Sequence, residues 1–230
     1  MNHSLFLQKL EDFKKYLGSS KAIDSLFLWE SIANFQSHWS SDIDLRSRID
    51  NSLTNQTSKR LWVSSGRHPK IILLGFAEQM PEMLEWTFKD LFSLEKDVEG
   101  RLGRFTFHMD QMYEDWKKEN PETIFDSHYH DDNYKMASTY LSLIYPNEYC
   151  PYNLDLFQDY LRVLKSNKIP LANDLNRYFK LMKTTLILLK KDEQIEHLHS
   201  KRLRKGIDYQ GDIGPMLSYE FAHFCCNRMI

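Results

Sequence analysis

The stretch Asp174-Leu175-Asn176-Arg177-Tyr178-Phe179-Lys180-Leu181-Met182-Lys183-Thr184-Thr185-Leu186-Ile187-Leu188-Leu189-Lys190 decides the fold class. Leu175, Tyr178, Phe179, Met182, Leu186 and Leu189 recur at steps of three and four, the period of an amphipathic helix rather than a strand. Asp174 stands where a carboxylate accepts from the free N–H groups of a first helical turn. The same spacing runs outward. Asn153 caps a helix carrying Phe157, Tyr160, Leu161 and Leu164, and Lys168-Ile169-Pro170 connects the two. After the turn from Tyr209 to Pro215, a last helix over Leu217 to Met229 carries Phe221 and Phe224.

Toward the N-terminus, Phe6, Leu10, Phe13 and Leu17 make one stripe that Gly18 stops. Asp24 is the expected cap of a helix with Phe27, Leu28, Ile32 and Phe35 on one side, and the polar stretch Ser40 to Arg60 reads as a solvated helix plus a loop. Gly66-Arg67-His68-Pro69 is a turn, and Pro69 and Pro81 each suit the first position of a helix. A helix is expected from Gly103 to Lys118, a break at Pro121, and another helix with Met136, Tyr140, Leu143 and Ile144 that ends before Pro146. Eight glycines and seven prolines in 230 residues are too few for a loop-rich β fold. The expectation is an all-α single helical domain, with the option of two subdomains over 1–120 and 121–230.

Hydrophobic residues at 42% and charged residues at 27% place the chain among globular proteins. The start Met1 to Lys9 lacks the pattern of a signal peptide, and no apolar run approaches membrane-spanning length, so a cytoplasmic protein without membrane contact is expected. Cys150, Cys225 and Cys226 have no CxxC spacing and read as unbridged thiols.

The chemistry-bearing motifs are chiefly exclusions. No phosphate-cradling Gly-x4-Gly-Lys-Ser/Thr loop, no HExxH and no Gly-x-Ser-x-Gly occurs. The tripeptides Asp12-Phe13-Lys14 and Asp115-Trp116-Lys117 match part of a magnesium-nuclease signature but fall in helical patterns. His128, His130 and Asp132 are the densest possible metal ligands, and a polar loop leading into the next helix explains them as well. His197-Leu198-His199 reads as a solvated helix end. No catalytic role and no cofactor is therefore expected.

Charge is polarised. Glu78 to Asp132 holds fifteen acids against six bases, and Leu161 to Lys205 holds twelve bases against four acids. Arg177, Lys180, Lys183, Lys190, Lys201, Arg202, Arg204 and Lys205 form the candidate nucleic-acid contact, because lysine and arginine beside aromatics such as Tyr178 suit phosphates and bases. Arg202, Arg204 and Lys205 are expected on the surface, replaceable by alanine with little effect on folding. The alternatives are a solvated basic face, or neutralisation against the acidic stretch.

Three blocks resemble the region preceding the AAA+ motor in McrB-like proteins, the GTPase subunits of modification-dependent restriction systems. They are Leu28-Trp29-Glu30-Ser31-Ile32-Ala33-Asn34-Phe35-Gln36, then Ile71-Ile72-Leu73-Leu74-Gly75-Phe76-Ala77-Glu78 with Leu84 and Trp86 to Phe92, and Ser138-Thr139-Tyr140-Leu141-Ser142-Leu143-Ile144-Tyr145-Pro146-Asn147-Glu148-Tyr149 with Tyr152. The resemblance covers roughly residues 25 to 225. It implies a non-enzymatic target-recognition or adaptor role in antiviral defence, contact with DNA, an AAA+ motor in the same or a neighbouring chain, and a separate nuclease subunit. These residues contain no motor, so the resemblance transfers no NTPase role to them. A protein–protein module that senses a phage protein or docks a partner subunit is the second expectation. An exposed aromatic patch without positive charge would favour that one, and a basic concave surface would favour DNA. A metal-dependent enzyme built on His128 is the distant third.

Overall fold

The computed structural model describes residues 3–58, 60–62, 68–121 and 134–229. Among them are eleven α-helices and no strand. In chain order these are α1 (His3–Leu17), α2 (Phe27–His38), α3 (Leu45–Ser52), α4 (Pro69–Gln79), α5 (Pro81–Phe92), α6 (Val98–Glu119), α7 (Lys135–Ile144), α8 (Leu154–Val163), α9 (Leu175–Leu189), α10 (Glu193–Arg202) and α11 (Pro215–Cys225), with a 3-10 helix at Ser20–Ser25 before α2. The fold is all-α.

The caps explain most of the boundaries. Asp174 accepts from Arg177 N and Asn153 from Leu156 N, as their spacing requires. Pro69 and Pro81 open α4 and α5, where a missing N–H costs nothing. Asp24 does not cap α2, because the chain first winds through the 3-10 helix and α2 starts after Leu26. Asp97 accepts from Gly100 N, so α6 starts at Val98 and runs through both Gly100 and Gly103. The polar segment after Ser40 also differs from expectation. Its helix α3 is not solvated, since Leu45 and Ile49 are buried and the helix packs on α2 and α4.

One core runs from Phe6 to Cys225. Helices on the two sides of residue 120 share it: α1 packs on α10 and α11, α2 on α7, and α6 on both α7 and α9. At its centre lies α11, in contact with α1, α8 and α9 and buried on nearly every side. Two polar residues, Glu220 and His223, are carried inside with it.

The block closing in Tyr145-Pro146-Asn147-Glu148-Tyr149 acts as a latch between these layers. Tyr145 OH donates to Phe92 O at the end of α5 at 2.6 Å. Tyr149 OH accepts from the buried Arg101 of α6 at 2.7 Å, and that guanidinium also donates to Leu91 O at 3.0 Å. Gly214, just before α11, lies so close that a Cβ there would sit 1.8 Å from Pro146 O. No helix among the described residues is long and apolar enough to cross a membrane.

Candidate functional site

The eight basic residues singled out by sequence do not form one surface. Lys180 is exposed on the outer face of α9 and Lys190 is exposed at its C-terminal cap, and neither has an ion pair among the described residues. Lys183 lies on the same face and pairs with Glu148. Arg177 is half-buried, donates to Lys168 O at 2.6 Å and covers the Phe157 ring at 5.7 Å. Lys201 and Lys205 are exposed.

Arg202 is buried and Arg204 is part-buried and paired, which corrects the expectation that both stand free on the surface. The Arg202 side chain is 6% exposed and meets Glu220, which is 0% exposed, through both terminal nitrogens. It also donates to Ala22 O at 3.0 Å and to His199 Nδ1 at 2.9 Å, and covers the Trp29 indole at 4.8 Å. Tyr16 OH and Ser25 Oγ complete the shell of Glu220 at 3.1 and 2.6 Å. Arg204 joins the buried Asp208 at 2.7 Å and Glu30 at 3.3 Å, and its pKa is held up chiefly by the bond to Asp208. Both guanidinium groups are spent on holding α10 and the segment after it against α2 and α11.

His199 is corrected in the same way. It is buried on α10 rather than solvated, and burial, then the charge of Arg202, lowers its pKa to about 3. Its Nδ1 faces a guanidinium that can only donate, so the ring is neutral with its proton on Nε2. A sequence signal for this network existed. Glu220 is a lone acid inside the apolar run Leu217 to Phe224, and a buried carboxylate requires a cation.

The acidic and basic stretches are not joined by ion pairs among the described residues. Among the described residues, no salt bridge joins a base between 161 and 205 to an acid between 78 and 121; the closest link is Asn176 Nδ2 donating to Glu99 at 3.3 Å. His128, His130 and Asp132 lie outside the described residues. Within the described ones, no group of three or more His, Cys, Asp or Glu is placed to hold a metal ion. Cys150 and Cys225 are buried and Cys226 half-buried, all three unbridged, and burial pushes the thiol of Cys150 up to about 12.

The feature that sequence reading missed lies between α5 and α6. Leu84, Phe88 and Leu91 face the core from α5, which turns Trp86 outward; Phe105 and Met109 do so from α6, which turns Phe107 outward. Trp86 is 50% exposed and Phe107 57%. His108 bridges them, with its ring 5.0 Å from Trp86 and 5.3 Å from Phe107. Beside this aromatic row runs a groove of about 410 Å³ lined by Met83, Phe107, Asp110, Gln111, Glu114 and Asp115. No lysine or arginine lines it among the described residues, though Lys118 pairs with Asp115 at its edge at 2.8 Å. Neither a family model, nor a curated protein, nor a solved structure matches this chain.

Proposed function

We propose that the chain is a non-enzymatic adaptor whose acidic, aromatic α5–α6 face docks a basic amphipathic segment of a protein partner. The observation that carries this reading is the exposed row Trp86–His108–Phe107 against an acid-lined groove. Apolar rings half open to water mark interaction sites when they are contiguous and flanked by charge, and carboxylates at their edge select a cationic partner. The resemblance of the three blocks to the region ahead of the motor in McrB-like proteins supplies the setting: an anti-phage restriction system in which the partner is the AAA+ motor chain or the nuclease subunit.

A second reading, DNA contact, is favoured by the exposed Lys180 and Lys183 on α9 and Lys190 at its C-terminal cap, although Lys183 pairs with Glu148. It has lost Arg202 and Arg204, the two groups best shaped to grip a phosphate with two parallel bonds. The test is co-purification of the chain with the proteins encoded beside it. The adaptor reading expects a motor or nuclease subunit to be retained, and expects Trp86→Ala with Phe107→Ala to release it while Lys180→Ala with Lys190→Ala does not. Release by the lysine pair and retention by the aromatic pair would overturn the assignment of docking to the α5–α6 face.

A further inference from the structure

A second cavity, of about 440 Å³, opens between the last turn of α1, the 3-10 helix and the C-terminal end of α11. Its size falls in the range of small-molecule sites, roughly 300–1,000 Å³. The end of α11 shapes it. Asn227 takes a left-handed conformation, φ 53°, and Arg228 N returns to His223 O at 3.0 Å. This helix stop turns Arg228 and Met229 back over the opening.

The wall is basic and only partly satisfied. Lys21 has no ion pair among the described residues. Arg60 spends Nη1 on Asp24 O at 3.1 Å and lies over the Phe27 ring at 5.0 Å, and its other side-chain nitrogens have no partner among the described residues. Arg228 is paired with Asp159. Glu220 also lines the cavity, but its charge is met by Arg202. The Asp24 carboxylate is the remaining acid on the rim, which leaves the cavity net basic.

A buried, neutral histidine backs this wall and adds no positive charge to it. His223 lines the cavity and is 7% exposed. Its Nδ1 sits 3.1 Å from Met229 O, so that nitrogen must carry the proton and Nε2 is left as an acceptor. Nε2 is buried and finds no hydrogen-bond donor in the protein among the described residues. Burial lowers the His223 pKa to about 4, consistent with a neutral ring. Phe224 and Met229 supply apolar wall beside it.

We propose that this cavity binds a small organic phosphate of nucleotide size, its phosphate held by Lys21, Arg60 and Arg228 and its planar body against Phe224 and Met229. Phosphate suits the two arginines and one lysine because its several oxygens accept from more than one cation at once. The body is required because phosphate alone leaves the apolar wall of Phe224 and Met229 uncovered.

The test is isothermal titration of the full chain with adenosine and guanosine monophosphates, inorganic phosphate and adenosine. A nucleoside monophosphate is expected to bind saturably, with inorganic phosphate and adenosine each weaker by about tenfold or more, the worth of one charge-assisted hydrogen bond. Lys21→Glu is expected to weaken binding by about the same factor, with unchanged circular dichroism because Lys21 is exposed. Lys180→Glu, remote from the cavity, is expected to leave binding intact. Absence of saturable binding by either mononucleotide, equal binding of inorganic phosphate, or wild-type affinity in Lys21→Glu would each overturn the proposal.

Discussion

Replacing Arg202 by alanine tests the inner architecture most severely. The guanidinium is the only cation that meets Glu220 among the described residues. Without it, Glu220 Oε2 loses its one donor, and Oε1 keeps at most Tyr16 OH and Ser25 Oγ. Ala22 O and His199 Nδ1 lose a donor, and the Trp29 ring loses a cation at 4.8 Å. Removing one partner of a buried pair costs about 3–5 kcal/mol, mainly because the other charge is stranded. A large fraction of the stability of a domain, on the order of 5–15 kcal/mol, would then be gone. Urea unfolding followed by far-UV circular dichroism measures the loss, with exposed Lys201→Ala as a control expected within about 0.5 kcal/mol of wild type. Combining Arg202→Met with Glu220→Leu should recover about 2 kcal/mol relative to the sum of the single changes, since the stranded charge is removed with its partner. A loss below about 1 kcal/mol in Arg202→Ala would refute the buried pair.

Acid should weaken the fold. His199 and His223 have folded pKa values lowered from 6.5 to about 3 and about 4, chiefly by burial, with the positive charge of Arg202 adding to the effect at His199. The unfolded chain therefore takes up those protons first. Stability is complete above the unfolded value and falls as pH drops from about 6.5 toward 4, by up to about 1.4 kcal/mol per pH unit for each histidine; a flat urea midpoint across that window would contradict the burial. Gly214→Ala should destabilise by about 1–3 kcal/mol or more, because the new Cβ meets the Pro146 carbonyl, which is backbone and cannot turn aside; an unchanged melting temperature would show that the latch is not tight. If the second reading holds, duplex binding should lose about 0.9 log units per log of salt for each phosphate neutralised, and Lys180→Ala with Lys190→Ala should flatten the slope by roughly two; an anisotropy titration with no salt slope, or none that the pair alters, removes DNA from the account.

The helices were legible because burial imposes a period. The stripes Phe6–Leu10–Phe13–Leu17 and Leu175–Tyr178–Phe179–Met182 are buried as their spacing requires. The inner polar network was legible only at Glu220, because Arg202 looks the same in sequence whether it faces water or a buried carboxylate. Periodicity places Glu220 within an apolar helix but says nothing of which cation will meet it. Helix α10 was the least visible element, since it buries only Ile195 and His199 and carries charge on its other faces. The α5–α6 face escaped notice for the opposite reason. Trp86 and Phe107 are large and apolar, and a reading that sends aromatics to the core has no term for those whose register turns them out.

The docking claim has a direct optical test. Trp29, Trp62 and Trp116 are buried and Trp39 half-buried, so Trp86 is the tryptophan most open to water. Titration with a basic amphipathic helical peptide, against an acidic peptide with the same apolar face, reads that one side chain by its emission. The account predicts a saturable blue shift with the basic peptide alone, lost in Trp86→Phe and weakened by about tenfold or more in Phe107→Ala, the scale of an aromatic anchor at an interface. Equal shifts with both peptides, or saturable binding that leaves the emission of Trp86 unchanged, would contradict it.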